Sequence, residues 1–124
     1  MKKKVLSKIL IIEDDESIQL FVKEFLELEG YEVLCASHGQ AALDLLANLN
    51  PTPRLILLDF MMPIMNGWEF MAAKRIDPRL KKIPVVALST LDDSQVATAR
   101  TDFIIQKPVE FKNLSRAIKQ LCVS

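Results

Sequence analysis

Chemically active side chains follow several short apolar runs of the sequence, each at the point where the run ends. In chain order they are Glu13, Asp14 and Asp15, then Asp59, Ser89 and Lys107. Acids grouped at one place repel one another unless a cation neutralises them, and Mg²⁺ prefers carboxylate and phosphate oxygens. A carboxylate beside such a cation can act as a nucleophile toward phosphorus if other groups neutralise the phosphoryl oxygens. These residue types therefore predict metal-assisted phosphoryl chemistry, provided that the fold brings them together.

Five of these side chains, all but Glu13, have a predicted role in that chemistry. Asp59 is the predicted nucleophile, and Asp15 and Asp59 are the predicted direct ligands of Mg²⁺, with Asp14 acting through water. Lys107 would pair with one phosphoryl oxygen as a mobile point charge, and the Ser89 hydroxyl would donate a hydrogen bond to another. The pair Asp14–Asp15 also has a plainer interpretation, because an acid just before a helix commonly caps the free backbone amides of the first turn.

Short apolar runs alternate with amphipathic segments along the whole chain. The pattern predicts strands at residues 8–13, 31–36, 55–58, 85–88 and 103–106, and helices at 17–29, 39–48, from about 68, at 92–100 and at 110–122. Because parallel strands need crossover connections, this alternation predicts an α/β fold, a doubly wound parallel sheet with helices on both faces. Ligands of such sheets bind beyond the carboxyl ends of the strands, which is where the reactive residues stand.

Size and charge narrow the possible functions. The 124 residues suit one domain covering residues 1–124, with half of them apolar. Basic and acidic residues number 16 each, so no excess positive charge favours nucleic acid or an anionic membrane as a partner. Lys8 interrupts the first apolar run and no cleavage site follows, so we expect no export signal, a cytoplasmic location and reduced Cys35 and Cys122.

The chain resembles the receiver domains of bacterial two-component systems over nearly its whole length. The resemblance rests on the Asp14–Asp15 pair, the stretch from Asp59 to Gly67, Ser89 and the Lys107–Pro108 dipeptide. It implies a flavodoxin-like fold with strand order 2-1-3-4-5. It also implies a metal contact from the Met61 carbonyl and a cis peptide bond before Pro108.

The function that this resemblance implies is a phosphorylation-dependent switch. Asp59 would accept a phosphoryl group, in a Mg²⁺-dependent reaction, from a sensor histidine kinase or a phosphotransfer protein. The output would be a changed binding surface for a separate downstream protein, with the chain acting as a monomer or as a phosphorylation-dependent homodimer. The chain would catalyse only its own phosphorylation and dephosphorylation, so it would not be an enzyme in the usual sense.

Two features depart from the family pattern. Lys107 comes only 18 positions after Ser89, and the usual Gly-Ala turn before the fifth strand is missing. The family usually has an aromatic switch residue three positions before the lysine, whereas here that position is Ile104 and the nearest aromatic residue is Phe103. We therefore expect Ser89, Phe103 and Ile104 to be the residues that report phosphorylation, through a rearranged surface.

The positions two residues beyond Asp59 and Ser89 suggest a slow loss of the phosphoryl group. They are Met61 and Leu91, which are apolar where rapidly dephosphorylating relatives tend to have polar residues. Since an apolar side chain cannot orient an attacking water, we predict a long-lived aspartyl phosphate.

Three other functions compete with this interpretation. A degenerate receiver could serve only as a protein-docking module, although the retained acids, Ser89 and Lys107 argue against it. A phosphatase acting through Asp59 would need a nearby second acid, and the following residues, Phe60 and Met61, are not acids. A flavin or nucleotide module would need a glycine-rich phosphate loop, and the chain has three glycines in all.

Overall fold

Strands and helices alternate throughout the part of the chain that the computed structural model describes, residues 7–90 and 99–122. The strands are β1 Lys8–Ile12, β2 Glu32–Ala36, β3 Leu55–Asp59, β4 Val85–Ser89 and β5 Phe103–Gln106. The helices are α1 Glu16–Leu28, α2 Gly39–Ala47, α3 Gly67–Arg75 and α4 Phe111–Leu121. The helix predicted at residues 92–100 falls mostly outside the described residues.

The five strands form one parallel sheet in the order β2-β1-β3-β4-β5, which confirms the predicted topology. The strand order reverses between β1 and β3, since the chain continues from β1 to one edge of the sheet and later returns to fill the other side. Crossover connections on the two sides of this point leave a crevice beyond the carboxyl ends of these strands. The fold thus places the ends of β1 and β3 side by side.

Two hydrophobic cores cover the two faces of the sheet. α1 and α4 share one core, to which they contribute Val22, Leu26, Leu114 and Ile118. α2 and α3 cover the opposite face with side chains that include Leu46 and Phe70. All residues of β3 and β4 are buried, which explains why these two strands are unbroken apolar runs in the sequence.

The third helix begins at Gly67, slightly earlier than the sequence pattern predicts. Asn66 caps it, because the Asn66 side chain accepts a hydrogen bond from the Glu69 amide and the Glu69 carboxylate accepts one from the Asn66 amide. A Cβ atom at Gly67 would lie 2.5 Å from the ring of Phe60, so the chain needs a glycine for this close approach. None of the helices described here is long and apolar enough to cross a membrane.

Candidate functional site

Three carboxylates meet at the carboxyl ends of β1 and β3. Glu13, directly after β1, is fully buried, and Asp59, the last residue of β3, is 2% exposed. Asp14 is exposed at the surface beside them. These three side chains each offer a carboxylate oxygen within 4.8 Å of the other two. The fold therefore does bring acids from two separate strands into one cluster.

Lys107 joins this cluster from the end of β5. Its Nζ lies 2.9 Å from Glu13 Oε1 and 3.4 Å from Asp59 Oδ1. Its backbone amide donates a 2.8 Å hydrogen bond to the carbonyl of Ser89, at the end of β4. Lys107 thus contacts residues at the carboxyl ends of β1, β3 and β4.

Burial is the main influence on the ionisation of Glu13 and Asp59, the two buried acids. Desolvation by burial raises the pKa of Glu13 to about 7, and the nearby Asp59 charge adds to the rise that Lys107 opposes. Burial likewise raises the pKa of Asp59, against the opposing effects of the Met61 amide and Lys107. Burial alone would lower the pKa of Lys107, but the adjoining carboxylates of Glu13 and Asp59 outweigh that effect and raise it. Burial thus favours the neutral form of both acids, and Lys107 favours their charged form.

Asp15 lies outside this cluster, which corrects the sequence-based pairing of Asp15 with Asp59. Its Oδ1 accepts hydrogen bonds from the Ser17 hydroxyl at 2.6 Å, the Ser17 amide at 2.9 Å and the Ile18 amide at 3.2 Å. The Ser17 hydroxyl contributes most to the lowered pKa of Asp15. Asp15 therefore caps α1, the plainer of its two interpretations, and its carboxylate is occupied with the backbone of that helix.

Glu13 is the site residue that the sequence-based assignment left out. It takes the position in the cluster that the prediction gave to one of the two aspartates, because the acid pair is shifted by one residue toward the strand. The signal was present in the sequence, since Glu13 is the first residue after the apolar run of β1. Two consecutive residues after a strand reach the crevice, and the third is already in position to cap the next helix.

The Met61 backbone lies beside the predicted nucleophile, and the Lys107–Pro108 bond has the predicted geometry. The Met61 amide donates a 3.1 Å hydrogen bond to Asp59 Oδ1, so this peptide lies against the predicted nucleophile. The Met61 side chain is 56% exposed. The peptide bond between Lys107 and Pro108 is cis, as predicted.

The three predicted switch residues divide between the two faces of the sheet. Ser89 is fully buried at the end of β4, opposite Gln106 of β5. Ile104 packs partly buried against the core beneath α2 and α3, whereas Phe103 packs against the core beneath α1 and α4. Because neighbouring residues of a strand point to opposite faces, Phe103 does not substitute for an aromatic side chain at position 104. Leu91, which the prediction of a long-lived aspartyl phosphate uses together with Met61, lies outside the described residues.

A divalent cation fits the donor set of this cluster. Glu13 Oε1 is buried and receives no well-aligned hydrogen bond, even though the Lys107 ammonium lies 2.9 Å away. Burying a carboxylate oxygen without a hydrogen bond lowers the stability of the fold. In addition, the cluster has three carboxylates, and two of them share the one ammonium of Lys107. Oxygen donors of this kind suit Mg²⁺.

Comparison with known proteins gives the same family throughout. Residues 9–119 match the response regulator receiver domain family. The transcriptional regulatory protein CpxR of Escherichia coli is 34% identical over 120 residues, covering 94% of this chain and 49% of CpxR. The polar-differentiation response regulator DivK of Brucella anthropi is 29% identical over 115 residues, covering 90% of this chain and 92% of DivK. This chain thus spans about half the length of CpxR and most of the length of DivK.

A solved structure agrees with these sequence relatives. The chemotaxis protein CheY4 of Vibrio cholerae superposes with a TM-score of 0.85 at 27% identity, covering 94% of this chain and 99% of that one. The sequence match begins within β1 and ends within α4, so it includes every element that carries a residue of the acidic cluster. The chain belongs to the receiver domain family of two-component response regulators.

Proposed function

We propose that this receiver domain is a phosphorylation switch in which Asp59 accepts the phosphoryl group. The observation that carries the proposal is the position of Asp59: it ends a central strand at the crevice, contacts Lys107 and lies among two further acids. Although buried, its carboxylate lies beside an exposed acid, Asp14, at the rim of the sheet. A nucleophile so placed is held rigidly by the sheet and is approachable from the crevice.

The proposed reaction transfers a phosphoryl group from the phosphohistidine of a sensor kinase or a phosphotransfer protein. An oxygen of Asp59 forms a bond to phosphorus, the phosphorus–nitrogen bond breaks, and the imidazole nitrogen keeps the electron pair. Catalysis of such a step depends mainly on positioning and on neutralising the charge of the phosphoryl oxygens. Lys107 would turn from Asp59 toward one of those oxygens, and the Ser89 hydroxyl would donate to another.

Glu13, Asp14 and Asp59 are the residues that we expect to hold Mg²⁺, with the Met61 carbonyl as a further oxygen ligand implied by the family. When bound, the ion supplies positive charge to the carboxylates and to the phosphoryl oxygens. The protein side chains fix where that charge lies. In this set Glu13 takes the place that the sequence analysis gave to Asp15, since Asp15 is engaged in capping α1.

The proposed output is a change in the surface that a downstream protein binds. Attachment of a phosphoryl group to Asp59 would redirect Lys107 and Ser89, and these two residues are joined by the Lys107 amide hydrogen bond. Ile104 lies two residues before Gln106, the register partner of Ser89, so it is the side chain of β5 placed to respond. CpxR is a transcriptional regulator by name, and this chain covers about half of its length.

Incubation with acetyl phosphate and Mg²⁺, followed by intact-mass measurement, tests the proposal. The wild type should gain one phosphoryl group, and Asp59→Asn should gain none. Asp44→Asn is the matched control, because Asp44 is an exposed aspartate on α2, away from the crevice, and that variant should be phosphorylated like the wild type. Phosphorylation that persists in Asp59→Asn, or that is absent from the wild type, would refute the assignment.

A further inference from the structure

Three phenylalanine rings stack on the outer side of the α1 and α4 layer. None of them belongs to the acidic cluster. The ring of Phe111 lies 4.7 Å from that of Phe21, with 9° between their planes. It also lies 4.7 Å from the ring of Phe25, with 22° between the planes. The stack joins the middle of α1 to the first turn of α4.

The stack belongs to an exposed apolar surface. Leu20 is 57% exposed, Leu28 86% and Phe111 51%, and Phe21 between them is 39% exposed. These four are most of the seven large apolar side chains that are exposed among the described residues. Together with Glu24 they line a groove of about 440 Å³ along α1. Clustering of this kind, as opposed to single scattered apolar residues, marks an interaction surface.

The charges beside this groove are divided between the two helices. α1 carries three acids, Glu16, Glu24 and Glu27, and one lysine, for a formal charge of −2. α4 carries Lys112, Arg116 and Lys119 and no acid, for a formal charge of +3. All three basic residues of α4 and all three acids of α1 are exposed. The surface therefore has an apolar centre with an acidic side and a basic side.

We propose that this α1–α4 surface is a self-association interface, and that its partner is a second copy of the same chain. A two-fold axis that runs parallel to both helices places α1 of each copy opposite α4 of the other. That arrangement buries the apolar centre against itself and pairs the acidic side with the basic side twice. The association does not depend on phosphorylation or on the proposed function of Asp59.

The ring stack sets which residues face each other in this dimer. Because Phe111 contacts Phe21 and Phe25, the start of α4 lies level with the middle of α1. A two-fold axis parallel to the helices keeps each residue at its own level. Lys112 of one copy is therefore opposite Glu24 of the other, at both edges of the interface.

Sedimentation velocity over a concentration series, without any phosphoryl donor, measures the association. Phe111→Ser and Leu28→Ser should each weaken dimerisation by about tenfold or more, the typical effect of truncating a central apolar contact. Ile76→Ser is the matched control, since Ile76 is 83% exposed but ends α3 on the opposite face, and it should leave dimerisation unchanged. Circular dichroism of each variant would check that it is folded.

A charge exchange tests the pairing itself. Glu24→Lys and Lys112→Glu should each weaken self-association, because like charges then meet at both edges. An equimolar mixture of the two variants should associate again, since every edge of the mixed dimer joins opposite charges. A wild type that stays monomeric up to about 1 mM, equal weakening by Ile76→Ser, or a mixture no tighter than its components would overturn the proposal.

Discussion

The raised pKa of Glu13 predicts that the metal-free protein loses stability as the pH rises through neutrality. In the unfolded chain this carboxyl titrates near 4.5, and in the folded protein near 7. Between these values the folded state binds more protons than the unfolded state, so the free energy of unfolding falls as the pH increases. Below about pH 4.5 the stabilisation is complete, and above about pH 7 it is lost. The raised pKa of Asp59 acts in the same direction.

The magnitude follows from the size of the pKa difference. A rise from 4.5 to about 7 corresponds to at most about 3–4 kcal/mol, at about 1.4 kcal/mol for each tenfold change in the ionisation equilibrium. Replacing Glu13 with Gln removes the titrating group, keeps an oxygen beside Lys107 and leaves Lys107 paired with Asp59. Glu13→Gln should therefore be more stable than the wild type at pH 7.5 and nearly equal to it at pH 5.

Urea unfolding at a series of pH values, in the presence of EDTA, measures this difference. The wild type should lose stability between pH 5 and pH 7.5, and Glu13→Gln should lose much less. Glu27→Gln is the control, because Glu27 is an exposed acid on α1, and this variant should follow the wild type. Equal slopes for Glu13→Gln and the wild type would show that the buried glutamate is not the source of the pH dependence.

Three further outcomes follow from the site and its surroundings. Asp14→Ala should weaken Mg²⁺ binding, measured by calorimetry, at least tenfold, whereas Asp15→Ala should retain it and lose about 1 kcal/mol of stability with the helix cap. Equal losses of Mg²⁺ affinity in both would contradict the revised assignment. Gly67→Ala should lower the free energy of unfolding by about 1–3 kcal/mol, because its methyl group would meet a buried aromatic ring, and unchanged urea unfolding would argue otherwise. Combining Met61→Asn with Leu91→Glu should shorten the lifetime of the aspartyl phosphate, and an unchanged decay rate would dismiss the idea.

The sheet could be predicted from the sequence because its central strands are buried on both faces. β3 and β4 appear as short apolar runs, each between amphipathic segments. A short apolar run in that setting is best explained as a buried strand. The reactive residues could be predicted for the same reason, since each marks the end of such a run. Asp59, Ser89 and Lys107 all lie at or just beyond the ends of their strands.

The sequence did not determine which two of the three acids after β1 belong to the cluster. Three acids in succession, Glu13 to Asp15, follow β1, and an aspartate suits both a metal site and a helix cap. The choice depends on whether α1 begins one residue earlier or later, and the apolar pattern does not resolve helix ends to one residue. The hydrogen bonds of Asp15 to Ser17 and Ile18 decide it.

The backbone of Lys107 is held by a hydrogen bond, and its side chain extends from there to the acidic cluster. Its amide stays bonded to the Ser89 carbonyl while its ammonium reaches two acids of other strands. A phosphoryl group that attracts the ammonium would therefore rotate the side chain while the backbone hydrogen bond stays in place. A signal that leaves the crevice through this residue would therefore begin as a movement of its side chain.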